Sequence, residues 1–259
     1  MSITIVIPKP NKALYNSPKF FCPIIILNTI GKLFKKMIGE CLQFYIISNN
    51  FIHPCQLGSL KQRSITDIDI VLTHFIQSGW VKNLTTSTLA FDITQFFSSQ
   101  LLPLIMDKVG LDQKISTFFK DYPVGRKMKY LWKNLLSPLC SVDVGVSWES
   151  ALSLILSMLY LSPIFHTLEK CLKILKIPLS IISFIDNGLF ISQNKSISHS
   201  NTNIFCTYNI MSFFLTKFRL IVEHRKTEVF HFSKLQGIFN PPPLNLTIIG
   251  GPILLLKSS

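Results

Sequence analysis

A chain of 259 residues is long enough to bury well over half of its unfolded surface, so size excludes neither one large domain nor two small ones, and excludes no enzyme. Its 26 Lys+Arg against 13 Asp+Glu give a formal charge of +13, which favours a polyanionic partner, nucleic acid ahead of an anionic membrane surface. Six cysteines, Cys22, Cys41, Cys55, Cys140, Cys171 and Cys206, are scattered without a Cys-x-x-Cys pair, so neither a disulfide scaffold nor a zinc scaffold is expected, and reduced thiols of an intracellular protein are.

In chain order, the β-branched residues 3–7 predict a short strand ended by the Pro-Lys-Pro-Asn-Lys turn at residues 8–12. The N-terminal segment lacks the basic start and long apolar stretch of a signal peptide, so secretion is not expected. Ile30, Leu33, Phe34, Met37 and Cys41 recur at helical spacing and predict an amphipathic helix with Lys32, Lys35 and Lys36 mostly on another face. Ser64 and Asp67 fit a capping box at the start of a second helix, whose stripe Ile68, Val71, Leu72, Phe75 and Ile76 is expected to face a core. A strand through Leu89, Ala90 and Phe91 should lead into Asp92, followed by helical stretches over residues 100–121 and β structure over 128–146. The uncharged run 150–165 is bounded by Glu149, His166 and Glu169 and interrupted by Pro163, which favours a buried core helix over a membrane span of about 20 residues.

Apolar runs on both sides of Asn187-Gly188 predict a β-hairpin centred on that dipeptide. A helix over residues 199–217 and an alternating strand over 227–232 complete the pattern, and the proline-rich remainder reads as an extended tail. Strands interleaved with helices around a tight hairpin indicate an α+β fold.

With so few carboxylates, two at strand ends stand out: Asp92 and Asp186. An ionised carboxylate in such a place is costly unless it is paired or bound to a cation. Phosphoryl-transfer enzymes use carboxylates on adjacent strands to hold two magnesium ions about 3.5–4 Å apart. The spacing leaves two readings open: a metal pair, or a loop cap at Asp92 and a turn residue at Asp186.

Several stretches, in one order from about residue 5 to 232, resemble reverse transcriptases of LINE-like, non-LTR retrotransposons, particularly those of fungi. The segments IPKPNK and CPIIILNTIGKLFKKMI are similar to the family's Lys-Pro and Arg-Pro-Ile-x-Leu entry, with Lys9 in the place of a phosphate contact and Cys22 in the place of the arginine. QLGSLKQRSITD resembles the Gln-x-Gly segment leading to Arg-Ser-Thr, which puts Arg63 at the nucleotide. AFDITQFFSS resembles the first catalytic motif: the resemblance makes Asp92 a metal ligand, lets the Ile93 carbonyl face the metal, and sets Phe97 against the nucleotide sugar. DVGVSWESALSLIL is similar to Gly-x-Pro-Gln-Gly-Ser-x-Leu-Ser-Pro, so Ser150 matches, while Trp148 and Glu149 replace the Gln and second Gly.

FIDN stands where the family has aromatic-x-Asp-Asp, with Asp186 as the retained metal ligand and Asn187 as a degenerate catalytic position. At an effective dielectric near 20, a charge about 4 Å from a divalent ion is worth about 8 kcal/mol before desolvation, so the amide should weaken metal binding. RLIVEHRKTEVFHF resembles the motif whose lysine assists proton transfer to pyrophosphate, here Lys226.

The resemblance implies a right-hand polymerase with an antiparallel palm sheet: fingers-like residues 1–86, a palm-like core at 87–232, a truncated tail at 233–259, and no thumb. It further implies an RNA-directed DNA polymerase using Mg2+ or Mn2+, an RNA template, a DNA primer and deoxynucleotides, in the nucleus or cytoplasm and away from membranes. The degenerate motifs imply lost or strongly impaired activity. The alternatives are a non-catalytic basic nucleic-acid-binding remnant and an unselected pseudogene product.

Overall fold

Two five-stranded sheets and one two-stranded sheet form among the described residues, and the computed structural model divides into two compact units: Met1–Asn49 with Phe97–Tyr160, and Asn50–Phe96 with Leu161–Ser259. The described residues are 2–11, 14–26, 28–94, 104–107, 112–113, 116–117, 126–142, 151–234, 244–246 and 254–256. Among them the elements run β1 (Ser2–Pro8), a 3-10 turn (Pro18–Phe20), β2 (Phe21–Ile26), α1 (Thr29–Ser48), α2 (Ile65–Val81), β3 (Thr85–Thr94), β4 (Arg126–Trp132), β5 (Leu135–Leu136), β6 (Cys140–Val142), α3 (Ala151–Leu175), β7 (Ser180–Phe184), β8 (Asn187–Asn194), α4 (Ile197–Lys217), β9 (Ile221–Val222), a 3-10 turn (His224–Lys226), β10 (Glu228–Phe232), β11 (Leu244–Leu246) and β12 (Leu254–Leu256). The contiguous segments 1–86 and 87–232 are each shared between the two units, because β4 pairs in parallel with β1, as in Thr4 opposite Tyr130.

In the first unit the sheet order is β2-β1-β4-β5, with β6 also on β4. The β-branched residues of β1 suit this central place. The helix predicted from Ile30 onward is present as α1, capped by Asn28, whose side chain accepts the Gly31 N–H at 2.6 Å. Its buried face differs from the predicted one. Ile30, Leu33, Phe34, Met37 and Cys41 are exposed, whereas Gly39, Leu42, Gln43 and Ile46 are buried. Gly39 places this face against α3: a Cβ there would lie 3.8 Å from the Leu152 backbone and 3.6 Å from Ile155, at ordinary contact distance.

Helix α3 runs through Pro163, the interruption noted in the sequence, to Leu175. A proline inside a helix gives up one backbone hydrogen bond, and here the freed turn is embedded in core, with Leu159, Leu161 and Ile164 all buried. The helix is apolar and long enough to cross a membrane by composition, yet 72% of its apolar window is buried within the protein, as suits a core helix.

The second unit is built on an antiparallel sheet of order β10-β3-β8-β7, with β9 extending β3 at Ile93 and Thr94. Strand β3 is buried from Thr86 to Ile93 except at Ala90, which is why its sequence does not alternate. Helix α2 begins as predicted, with the Ser64 N–H donating to Asp67 Oδ2 at 2.7 Å. Its predicted stripe is half-buried rather than fully enclosed. The predicted last helix and strand are α4 and β10. All six cysteines are free thiols.

The hairpin is present, but its turn is displaced from the predicted one. Phe184 pairs with Asn187, so Ile185 and Asp186 form the two-residue turn and Asn187-Gly188 opens β8. Ile185 sits at φ 60°, a left-handed conformation that costs a β-branched residue about 1–3 kcal/mol. That strain falls directly beside Asp186.

Candidate functional site

The antiparallel register of β3 and β8 sets Asp92 opposite Asn187, and therefore beside the turn that carries Asp186. Backbone hydrogen bonds lock the approach: the Ile93 N–H donates to the Asp186 carbonyl at 2.8 Å, and the Glu223 N–H donates to the Asp92 carbonyl at 2.8 Å. Glu223 leads into the short turn bearing Lys226, whose Nζ donates to Asp92 Oδ2. Thus Asp92, Asp186 and Lys226, far apart in the chain, meet at one end of the sheet.

The electrostatics follow from burial. The Asp92 side chain is 8% exposed and the Lys226 side chain 67% exposed, so a water-accessible ammonium compensates an enclosed carboxylate. The hydrogen bond to Asp92 holds the Lys226 ammonium above the usual lysine range. Burial pushes the Asp186 carboxyl up, and the nearby Asp92 charge pushes the same way. Asn187 Nδ2 donates to Asp186 Oδ1 at 3.1 Å, so this amide satisfies one lone pair of Asp186 without adding charge. As a donor set, two carboxylate side chains on one sheet edge suit a hard divalent cation. The fit is to fewer charges than a three-carboxylate site would supply.

A pH dependence follows for Asp186. An acid that holds its proton more tightly when folded gives stability that is greatest below its unfolded pKa, near 3.8, and is lost as pH rises through the raised folded value. Asp186→Asn is expected to make the fold more stable at neutral pH and to flatten this part of the profile. Urea unfolding across the acidic to neutral range checks it, and an unchanged profile would mean that Asp186 is solvated.

The remaining predicted residues are placed as follows. Ile93 is buried and contributes its backbone to the Asp186 link. Arg63 is exposed just before the α2 cap, in the same unit as the carboxylates. Lys9 is exposed in the other unit, where its N–H donates to the Phe20 carbonyl at 2.8 Å and its carbonyl accepts from Tyr15 at 2.6 Å. Phe97 and Ser150 lie outside the described residues, as do Trp148 and Glu149.

Sequence reasoning missed two supports. The buried Gln56 bridges to Ser183, the Leu57 N–H donates to the Ser183 carbonyl at 2.8 Å, and the Ser183 N–H donates to the Cys55 carbonyl at 2.8 Å. Gly58 follows: a Cβ there would come within 2.6 Å of the Ile185 backbone nitrogen, so only glycine lets this loop brace the turn. The Gln-x-Gly spacing was the available signal. The second support is the buried Tyr208, whose hydroxyl bonds to His224 Nδ1 at 2.7 Å and anchors the turn carrying Lys226. Burial pushes the Tyr208 phenol up to about 12.

No protein-family model matches the chain, and no curated protein matches its sequence. Among solved structures, apo telomerase from Candida tropicalis truncated from its C-terminal domain is similar at a TM-score of 0.56 and 13% identity, over 83% of this chain and 42% of that one. Telomerase from Candida albicans in complex with a TWJ fragment of telomeric RNA is similar at a TM-score of 0.59 and 11% identity, over 95% of this chain and 43% of that one. The chain therefore spans less than half the length of these telomerases. At such identity the likeness is one of fold alone: the chain shares the fold of these telomerase structures.

Proposed function

We propose that the chain is a diverged reverse transcriptase domain of LINE-like type, in which one cation position survives between Asp92 and Asp186 and nucleotidyl transfer is strongly impaired. The observation that carries the proposal is the meeting of these two carboxylates across neighbouring strands, with Lys226 bonded to Asp92. On this reading residues 87–232 supply the palm and residues 1–86 the fingers. A bound Mg2+ or Mn2+ would lower the pKa of the primer 3′-hydroxyl and offset charge on the departing pyrophosphate. Asp92 and Asp186 would hold that ion, Asn187 orients Asp186 by its amide, and Lys226 supplies a positive charge that competes for Asp92. Arg63 and Lys9 offer cations to phosphate.

A second reading rests on the +13 charge together with the internal Lys226–Asp92 pair: the domain holds RNA or an RNA–DNA duplex without catalysis. Primer extension on an RNA template distinguishes the two. The unmodified chain is expected to extend little or nothing, and a variant carrying Asn187→Asp, Trp148→Gln and Glu149→Gly is expected to gain extension with Mn2+. Failure of both would end the enzymatic reading. Duplex binding is expected in either case and should weaken steeply with added salt; salt-independent binding would contradict both readings.

A further inference from the structure

Three side chains that the polymerase reading leaves unused meet beside β7. His166 and Glu169 are three residues apart on α3, so the helix presents both on one face. His53 comes from the loop after α1. Its N–H donates to Ser162 Oγ at 2.8 Å, and that hydroxyl donates to the Phe51 carbonyl at 2.6 Å, which pins the loop backbone to the same helix. His53 Nε2 lies 3.1 Å from Glu169 Oε2, and the His53 and His166 rings meet edge to face with centroids 4.6 Å apart. One ligand atom from each of the three lies within 4.8 Å of the others.

We propose that His53, His166 and Glu169 bind one divalent first-row transition metal ion of zinc-like preference, with a fourth position left to solvent. Two imidazoles and a carboxylate are the donor set for such an ion, whereas magnesium and calcium call for oxygen. Tetrahedral bonds of about 2.1 Å set ligand atoms roughly 3.4 Å apart, so separations that lie within 4.8 Å need to close by at most about 1.4 Å. His53 is 6% exposed and already seated by its backbone. His166, among the described residues, has its edge contact with His53 and no hydrogen-bond partner, which leaves a ring nitrogen for coordination. Glu169 Oε1 pairs with Lys173 at 3.0 Å, orienting Oε2 toward His53. The Cys55 N–H now donates to His53 Nδ1 at 3.2 Å, so the ring proton is on Nε2. A metal at Nε2 moves that proton to Nδ1 and exchanges this long hydrogen bond for coordination.

His53 and Glu169 also line a cavity of about 430 Å3 with Lys173 and Lys176, which gives the fourth ligand space beside two cations. Because residues 55–58 of the same loop pair with Ser183 and abut Ile185, metal loading would stiffen the hairpin that carries Asp186.

The test uses the full chain, stripped with chelator and then equilibrated with Zn2+ or Co2+. One equivalent of zinc is expected to remain after desalting, and cobalt should give the visible bands of a tetrahedral nitrogen and oxygen site. His166→Ala and Glu169→Gln are each expected to weaken binding by more than the about 10–100-fold that loss of an outer-shell partner costs, with unchanged circular dichroism. His53→Ala should do the same but also removes a buried ring, so the other two variants are the decisive ones. Failure of the folded chain to retain metal, or retention untouched by His166→Ala, would overturn the site and point any residual binding to the thiols.

Discussion

Replacing Gly188 with alanine is expected to lower the unfolding free energy by about 2–3 kcal/mol, the upper part of the range for overpacking a core. Gly188 pairs with Phe91 on one side and with Ser183 on the other, so it lies inside the sheet that presents both carboxylates. A Cβ at this position would fall on the Phe91 ring. That ring cannot withdraw, because Phe91 is 2% exposed and packs against Phe190 with centroids 4.8 Å apart. For a chain of this size the cost corresponds to a fall in Tm of roughly 5–10 °C. Thermal unfolding checks it, with the exposed Asn187→Ala as a control expected to change stability little. Equal stability of the two variants would show that Phe91 does not cover Gly188.

The second large effect concerns Lys226. Lys226→Met leaves the Asp92 carboxylate enclosed and without its ammonium, beside Asp186. Breaking a fully buried pair costs about 3–5 kcal/mol, but Lys226 is largely in water, so about 1–2 kcal/mol is expected here. Added Mg2+ or Mn2+ should restore the loss, because a cation at free concentration c that binds only the folded state stabilises it by RT ln(1 + c/Kd). In the unmodified chain the same cation must displace Lys226, so its stabilising effect should be smaller at equal concentration. With His166→Ala in every chain compared, so that the imidazole cluster does not contribute, it should vanish in Asp92→Asn. Thermal unfolding with increasing Mn2+ reads all three, and a shift of equal size in each would contradict an ion held by Asp92.

What was legible in the sequence was local. The Ser64–Asp67 capping box needs only four consecutive residues, and the strand entering Asp92 needs only its own run of β-formers. That Asp92 and Asp186 lie on neighbouring strands was expected through the order of resemblances; the register itself, Asp92 opposite Asn187, comes from the structure. Local signals failed where distant neighbours decide. Asn187-Gly188 reads as a turn, yet Gly188 is needed under Phe91, so the turn moves to Ile185–Asp186 and accepts a positive φ at an isoleucine. The apolar stripe of α1 reads as its buried face, yet the face of Gly39, Leu42, Gln43 and Ile46 is the buried one, with Gly39 in contact with α3. His53 carries no signal at all, because its partners lie on α3, far along the chain.

The most direct measurement is Mn2+ binding to the Lys226→Met chain, carried in a His166→Ala background so that the imidazole cluster does not contribute. Binding should be lost when Asp92→Asn is added and lost again, independently, when Asp186→Asn is added instead. Undiminished binding in either variant would mean that the two carboxylates do not share a cation.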